Sequence, residues 1–207
     1  MPLSKMLRNL FRVQEILTVF FRFGFGDLVE RTGLSQYLKK IPPQDETNAP
    51  QQMTPARRFR NALEELGGAF VKLGQVLSTR PDILPASWIE ELARLQDEVT
   101  AIEFEVVRRD LEQELGPLSA HFLSVNPEPL ATASVAQVHE AVTLDGHKVV
   151  VKSRKPGIKK TILQDCDILD VIAELLEKHV PESRIYSPTH IVQEFRAAVT
   201  EELDFTR

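Results

Sequence analysis

Near the start of the chain, apolar residues recur at helical spacing. Leu3, Met6, Leu7, Leu10, Phe11, Leu17, Phe20 and Phe21 alternate with Arg8, Arg12 and Arg22. The pattern predicts a helix over residues 2–38, broken or kinked at Gly24 and Gly26 before it resumes at Leu28. A Phe-rich, Arg-punctuated helix can lie in a membrane interface or pack on the rest of the protein. Glu15, Asp27 and Glu30 dilute its positive face, and both readings stand on the pattern alone. Residues 41–55 read as a linker, with Pro42, Pro43 and Pro50 among polar neighbours. Thr54-Pro55 is an N-cap followed by proline at the first helical position. That helix runs through Phe59, Leu63 and Leu66 to Gly67-Gly68. Further helices are predicted over 69–79, 85–97 and 103–115, the last closed by Gly116-Pro117.

Beyond residue 117 the spacing changes. Residues 130–143 mix small and β-branched side chains, Asp145-Gly146 marks a hairpin, and residues 148–152 form a strand with three successive valines. Helical spacing returns over 158–179 and from Pro188 through to the last residue. Strand hairpins between helices predict an α+β fold.

The 207 residues are 43% apolar, enough for a packed core. Lys and Arg number 25 against 30 Asp and Glu, a net charge of −5 that argues against a dedicated nucleic-acid binder. The single cysteine, Cys166, excludes an internal disulfide and a cysteine-only zinc site. Its neighbours Asp165 and Asp167 disfavour a thiolate. The apolar run over 16–21 is too short to span a bilayer, and no secretory signal fits. A cytoplasmic chain is expected, with peripheral attachment at the inner membrane left open. His139 has no second histidine or cysteine at ligand spacing, so no metal site is expected.

Two stretches carry candidate chemistry. The first joins Ala131, Ala133 and Ser134 through the Asp-Gly turn to Lys152 near the end of the second strand. Small side chains let backbone N–H groups approach phosphate oxygens, and a fixed ammonium can neutralise them. The arrangement echoes the Gly-rich loop and strand lysine of protein kinases, with alanines and a serine in place of glycines. Those extra Cβ atoms stiffen the bend and predict weaker or altered nucleotide binding. The plain alternative is a hairpin ending in a solvated lysine. The second stretch is the predicted helix carrying Lys72, Gly74 and Gln75. Phe70, Leu73 and Leu77 share one face, but a glycine inside a helix costs about 1 kcal/mol relative to alanine. Gly74 therefore predicts close approach of another backbone, with Lys72 and Gln75 beside it.

These stretches resemble the UbiB/AarF (ADCK-type) family of atypical kinase-like proteins. Lys72-Leu73-Gly74-Gln75 resembles its KxGQ motif, residues 131–139 its Ala-rich loop, and residues 150–158 its lysine strand and following turn. Glu202-Leu203-Asp204-Phe205 resembles its ExD motif. Thr132 replaces an alanine often found in the loop, and Ser153 and Lys155 depart from the commoner Val-Gln-Arg-Pro wording. The residue pattern gives amphipathic helices over 1–40 and a linker over 41–55, and the resemblance, which covers roughly residues 56–207, implies a helical KxGQ extension over 56–118 and a kinase-like N-lobe over 119–207. The extension would pack on a small antiparallel sheet, with the C-lobe missing.

The resemblance further implies ATP as cofactor, with Mg²⁺, and support of ubiquinone or other isoprenoid lipid biosynthesis. A membrane surface or isoprenoid lipid would be a partner, and nucleic acid would not. Ala131, Ala133 and Ser134 would cover the phosphates. Lys152 would contact the nucleotide and pair with Glu194, Glu201 or Glu202, with Glu202 favoured because it opens the ExD match. Lys72 and Gln75 would cover the site where a peptide substrate otherwise enters.

A kinase-type site also needs a catalytic-loop asparagine and an Asp-Phe-Gly metal aspartate after the lysine strand. The last glycine is Gly157 and the last asparagine is Asn126, so neither follows Lys152. The chain is therefore expected to be a piece of a longer protein, with no complete set of catalytic residues. Apolar area around Lys152 and on the inner side of the last helix should then be exposed. The alternative is a non-catalytic, membrane-peripheral interaction or regulatory module.

Overall fold

The computed structural model describes residues 10–38, 53–95 and 101–205, so residues 2–9 of the first predicted segment and most of the 41–55 linker lie outside it. The chain divides into two compact units, a helical one formed by residues 1–96 with 162–207 and a sheet-bearing one formed by 97–161. This division differs from the sequence segments 56–118 and 119–207. The helix after residue 103 belongs with the sheet, and the last two helices belong with the N-terminal ones.

In the helical unit, α1 (Leu10–Phe20) turns inward Val13, Ile16, Leu17 and Val19 and leaves Phe11 exposed. Its apolar stripe packs within the unit. A π-helical turn over Phe21–Phe25 follows, and then α2 (Gly26–Arg31). The predicted break falls on Gly24 alone, at φ 80°, ψ 26°, whereas Gly26 is helical. A φ of this sign suits glycine. The carbonyls freed at the break are not wasted. Arg58 Nη1 donates to Phe23 O at 3.4 Å and Gly24 O at 3.2 Å, and its guanidinium lies 5.4 Å from the Phe25 ring centre.

Helix α3 (Pro55–Leu66) starts as its sequence requires, with the Thr54 hydroxyl accepting from Arg57 N–H at 3.3 Å. Gly67 ends it and α4 (Gly68–Leu77) follows. Next come α5 (Ala86–Leu92), shorter than predicted, and, after the sheet unit, α7 (Ile158–His179) and α8 (Pro188–Glu202), with a 3₁₀ turn over Pro181–Tyr186 between them. The last helix ends at Glu202, where the sequence pattern ran on: Asp204 N–H closes a tighter i, i−3 turn onto Glu201 O, and Leu203 at the cap is buried. A buried ion pair joins α1 to α7. Arg12 Nε and Nη2 donate to the two Asp165 oxygens at 2.9 and 3.0 Å, and Nη2 also reaches Leu66 O.

The sheet unit holds α6 (Phe104–Leu115) and an antiparallel sheet in the order β1 (Phe122–Thr132), β2 (Ala136–Thr143), β3 (Lys148–Arg154). Side chains alternate across a sheet, so one face packs and the other meets solvent. Val107 and Leu111 of α6, with Leu118, pack against Phe122, Val125 and Val151. Gln137 and His139 point to the same covered side. Gln137 Oε1 accepts from Ile102 N–H, and its Nε2 donates to Ile102 O at 3.1 Å. The same amide nitrogen lies 3.0 Å from His139 Nε2, while His139 Nδ1 lies 2.7 Å from Asn126 O. With the amide orientation fixed by the backbone, His139 Nε2 accepts and Nδ1–H donates. Both ring nitrogens of the buried histidine thus have partners within the sheet unit. Strand β1 slips register between Val125 and Pro129, and this bulge presents the Asn126 carbonyl.

Candidate functional site

The Ala-rich bend and the strand lysine fall on one sheet. Ala131, Val138 and Lys152 are cross-strand neighbours on β1, β2 and β3, so their side chains share a face. It is the face opposite α6, and Lys152 is exposed there. Val150, two residues away on the same side, is 63% exposed and Leu130 is 65% exposed. This is the apolar area expected around Lys152. The inner side of α8 differs from expectation: Val192, Phe195 and Val199 are covered within the helical unit.

The bend is narrow and pinned. Ala133 N–H donates to Ala136 O at 2.8 Å, and Lys155 N–H donates to Val135 O at 2.9 Å. Val135 is buried and anchors the turn, while Ala133 is exposed. The Ser134 hydroxyl oxygen is buried without a hydrogen-bond partner among the described residues. A hydroxyl and an ammonium are both donors of the kind that phosphate oxygens accept from.

The second motif pair meets in the helical unit. On α4, Lys72, Gln75, Val76 and Thr79 follow the i, i+3, i+4, i+7 rule, with Thr79 in the turn just past the helix end. Phe195, Ala198, Val199 and Glu202 repeat that spacing on α8. The two stripes enclose a cavity of about 290 Å³. Lys72 Nζ donates to Glu202 Oε1 at 2.8 Å, with the lysine 13% and the glutamate 44% exposed. Glu202, favoured on sequence as a partner for Lys152, thus meets the KxGQ lysine. Glu194 meets Arg80, which donates to it at 2.5 Å and grips Asp82 in a two-pronged contact. Hydrogen bonding to this guanidinium holds the Asp82 and Glu194 carboxyls below the usual carboxylate range. Asp204 follows the helix end in the exposed turn. Lys152 belongs to the sheet unit and these glutamates to the helical one.

Gly74 does receive a close neighbour, but the neighbour is side chain and not backbone. A Cβ there would overlap Leu95 Cδ1 and lie 2.8 Å from Leu63 Cδ1. The glycine lets leucines from outside α4 press onto the helix opposite its Lys72 face. Arg80 escaped the sequence reading because nothing in its local pattern separates it from an ordinary loop arginine. Asp165 left a usable signal, a carboxylate on the buried stripe Ile162, Cys166, Leu169 and Ala173. Burial pushes the Cys166 thiol up to about 11, so the cysteine is not a nucleophile near neutral pH. No group of His, Cys, Asp or Glu among the described residues is arranged to hold a metal. No helix among them is long and apolar enough to cross a membrane.

Residues 94–207 match the family described as the ABC1 atypical kinase-like domain. Among curated proteins carrying the name "Probable protein kinase UbiB", that of Cellvibrio japonicus is 41% identical over 202 residues, 95% of this chain and 36% of the relative. That of Marinobacter nauticus is 46% identical over 151 residues, 72% of this chain and 28% of the relative. That of Pseudomonas fluorescens is 36% identical over 206 residues, 97% of this chain and 38% of the relative. A solved structure, the complex of Rv3197 with erythromycin from Mycobacterium tuberculosis, aligns with 78% of this chain and 41% of that chain at 27% identity and TM-score 0.36. The chain spans little more than a third of the length of its curated relatives, and less of the first. With a family match over more than half its residues, it belongs to the ABC1 atypical kinase-like family, among the UbiB-type members.

Proposed function

We propose that this chain supplies the lysine-bearing half of an ATP site in a UbiB-type protein that supports ubiquinone or another isoprenoid lipid's biosynthesis. The observation that carries the reading is the row Ala131, Val138, Lys152 on one open sheet face, with the pinned bend and its orphaned Ser134 hydroxyl at the end of that row. Lys152 neutralises phosphate charge, while Ala131, Ala133 and Ser134 line the bend over the phosphates. ATP supplies the transferable phosphoryl group. No catalytic-loop asparagine or Asp-Phe-Gly follows Lys152. The chain alone therefore binds Mg·ATP weakly and does not transfer phosphate. The Lys72–Glu202 pair ties the KxGQ helix to the ExD helix and holds the Glu202 side chain in place. Peripheral contact with a membrane surface or isoprenoid lipid belongs to the same reading.

Calorimetric titration of the purified chain with Mg·ATP tests the reading. Binding weaker than about 1 μM is expected, weakened further by Lys152→Met, which removes a charge-assisted contact. Sub-micromolar binding, or binding that ignores Lys152→Met, overturns it. In cells that depend on this protein for growth on respiratory substrates, Lys152→Met should lower ubiquinone. Unchanged quinone would favour the non-catalytic interaction module.

A further inference from the structure

The helical unit contains a second and larger cavity, of about 410 Å³, separate from the KxGQ face. Its floor is fully buried, formed by Leu63 and Phe70. Its rim is open at Leu28 and Tyr186, which are 38% and 43% exposed. Among the described residues no charged side chain lines it, and the only polar side chains are those of Thr32, Trp88 and Tyr186. Thr32 is already committed, donating to Val29 O at 2.8 Å. The Trp88 indole N–H and the Tyr186 hydroxyl make no hydrogen bond to another described residue.

The aromatic wall is built, not incidental. The break at Gly24 brings Phe20 and Phe25 together at 5.9 Å, both rings lie 6.1 Å from Phe59, and Phe59 lies 5.6 Å from Trp88. Offset and edge-on rings at these separations form a stable apolar surface. Apolar surface on a concave wall of this kind gains free energy when a ligand withdraws it from water. A concave apolar floor with a polar residue, Tyr186, at the open rim is the anatomy of a small-molecule site. A flat docking face for a protein lacks that depth.

We propose that this cavity binds a neutral, hydrocarbon-bodied ligand whose one polar end is a hydrogen-bond acceptor. The hydrocarbon fills the floor, and the acceptor takes the Trp88 N–H or the Tyr186 hydroxyl. An anionic amphiphile is disfavoured because no cation lines the wall to offset its desolvation. The site does not involve Lys152 and stands apart from the nucleotide reading.

Trp88 is the chain's single tryptophan and so reports on its own cavity. Titration with 10-bromodecanol, whose bromine quenches indole emission on contact, should give saturable quenching. Bromodecanoate at neutral pH should bind at least about tenfold more weakly, for want of a counter-charge. Filling the cavity with Ala173→Leu, or with Val29→Phe on another helix if the first variant fails to fold, should weaken bromodecanol by about tenfold or more. Circular dichroism should show the filled variant folded. Lys152→Met should leave the quenching unchanged, so failure of the nucleotide reading and of this one remain distinguishable. Non-saturable quenching, equal affinity for the carboxylate, or indifference to filling would overturn the proposal. So would quenching by vesicles of brominated phosphatidylcholine without any by soluble bromodecanol, since the occupant would then be a membrane surface.

Discussion

The two units bury polarity by different means. The helical unit encloses a charge pair, Arg12 with Asp165, in which the aspartate is 1% exposed. The sheet unit encloses a neutral chain, Ile102 to Gln137 to His139 to Asn126, in which each donor meets an acceptor. Both tie distant segments, residues 12 and 165 in one case and 102, 126 and 139 in the other. An unpaired buried charge costs more than an unpaired amide, so the helical unit carries the more brittle link. A neutral net fails more gently.

The sharpest way to break this contrast is Asp165→Ala, which strips the Arg12 guanidinium of its buried, two-pronged partner and leaves it, for charge, only the exposed Glu15 carboxylate. A loss of about 3–5 kcal/mol is expected by urea denaturation. Hydrogen exchange of residues 101–161 should be little altered. Joint replacement, Arg12→Met with Asp165→Leu, should recover most of the loss, because two matched apolar groups need no partner. If the double variant is as weak as the single one, the pair is not an isolated unit.

Gln137→Leu is the counterpart in the sheet. It strands the Ile102 amide groups and His139 Nε2, and about 1–3 kcal/mol should be lost. Faster exchange of the Ile102 amide should accompany it. An effect as large as that of Asp165→Ala would erase the distinction between the units.

Gly74→Val probes packing without polarity. Its branches meet Leu63 and Leu95, and overpacking of this kind costs about 1–3 kcal/mol, partly offset by replacing a helical glycine. A lower urea midpoint with an unchanged Lys72–Glu202 contact is expected. A raised midpoint would mean that the leucines yield freely.

The smallest effect concerns pH. Glu177 accepts from Thr189 N–H at 2.9 Å and from its hydroxyl at 2.7 Å, and these bonds hold the carboxyl below its usual value of 4.5. A depressed folded-state value means a contribution complete above 4.5 and lost as pH falls through the lower one. NMR should show the Thr189 amide resonance moving upfield on acidification, and Glu177→Gln should abolish that titration. An amide shift insensitive to acid would remove Glu177 as the cap of α8.

Where local chemistry decides structure, the sequence was legible. The Thr54-Pro55 cap, the stop at Gly67, the Asp145-Gly146 turn and the limits of α7 need only neighbours within a few residues. Most of β1 was not legible. Pro127 and Pro129 interrupt it, and its bulges destroy the two-residue alternation that marks a strand. At the site, the motifs located Lys72, Glu202, Ala131 and Lys152, and the Asp145-Gly146 hairpin made the β2–β3 pairing that sets Val138 beside Lys152 predictable. The Lys72–Glu202 contact spans 130 residues of sequence and depends on how α4 meets α8, which no local pattern encodes.

The kink in the first helix has an evolutionary consequence. Its two freed carbonyls are claimed by one guanidinium from a different helix, so Gly24 and Arg58 form a coupled inheritance. A descendant that loses the arginine gains little by keeping the glycine. Drift at position 58 should therefore be accompanied by a straightened helix with an ordinary helix-former at position 24.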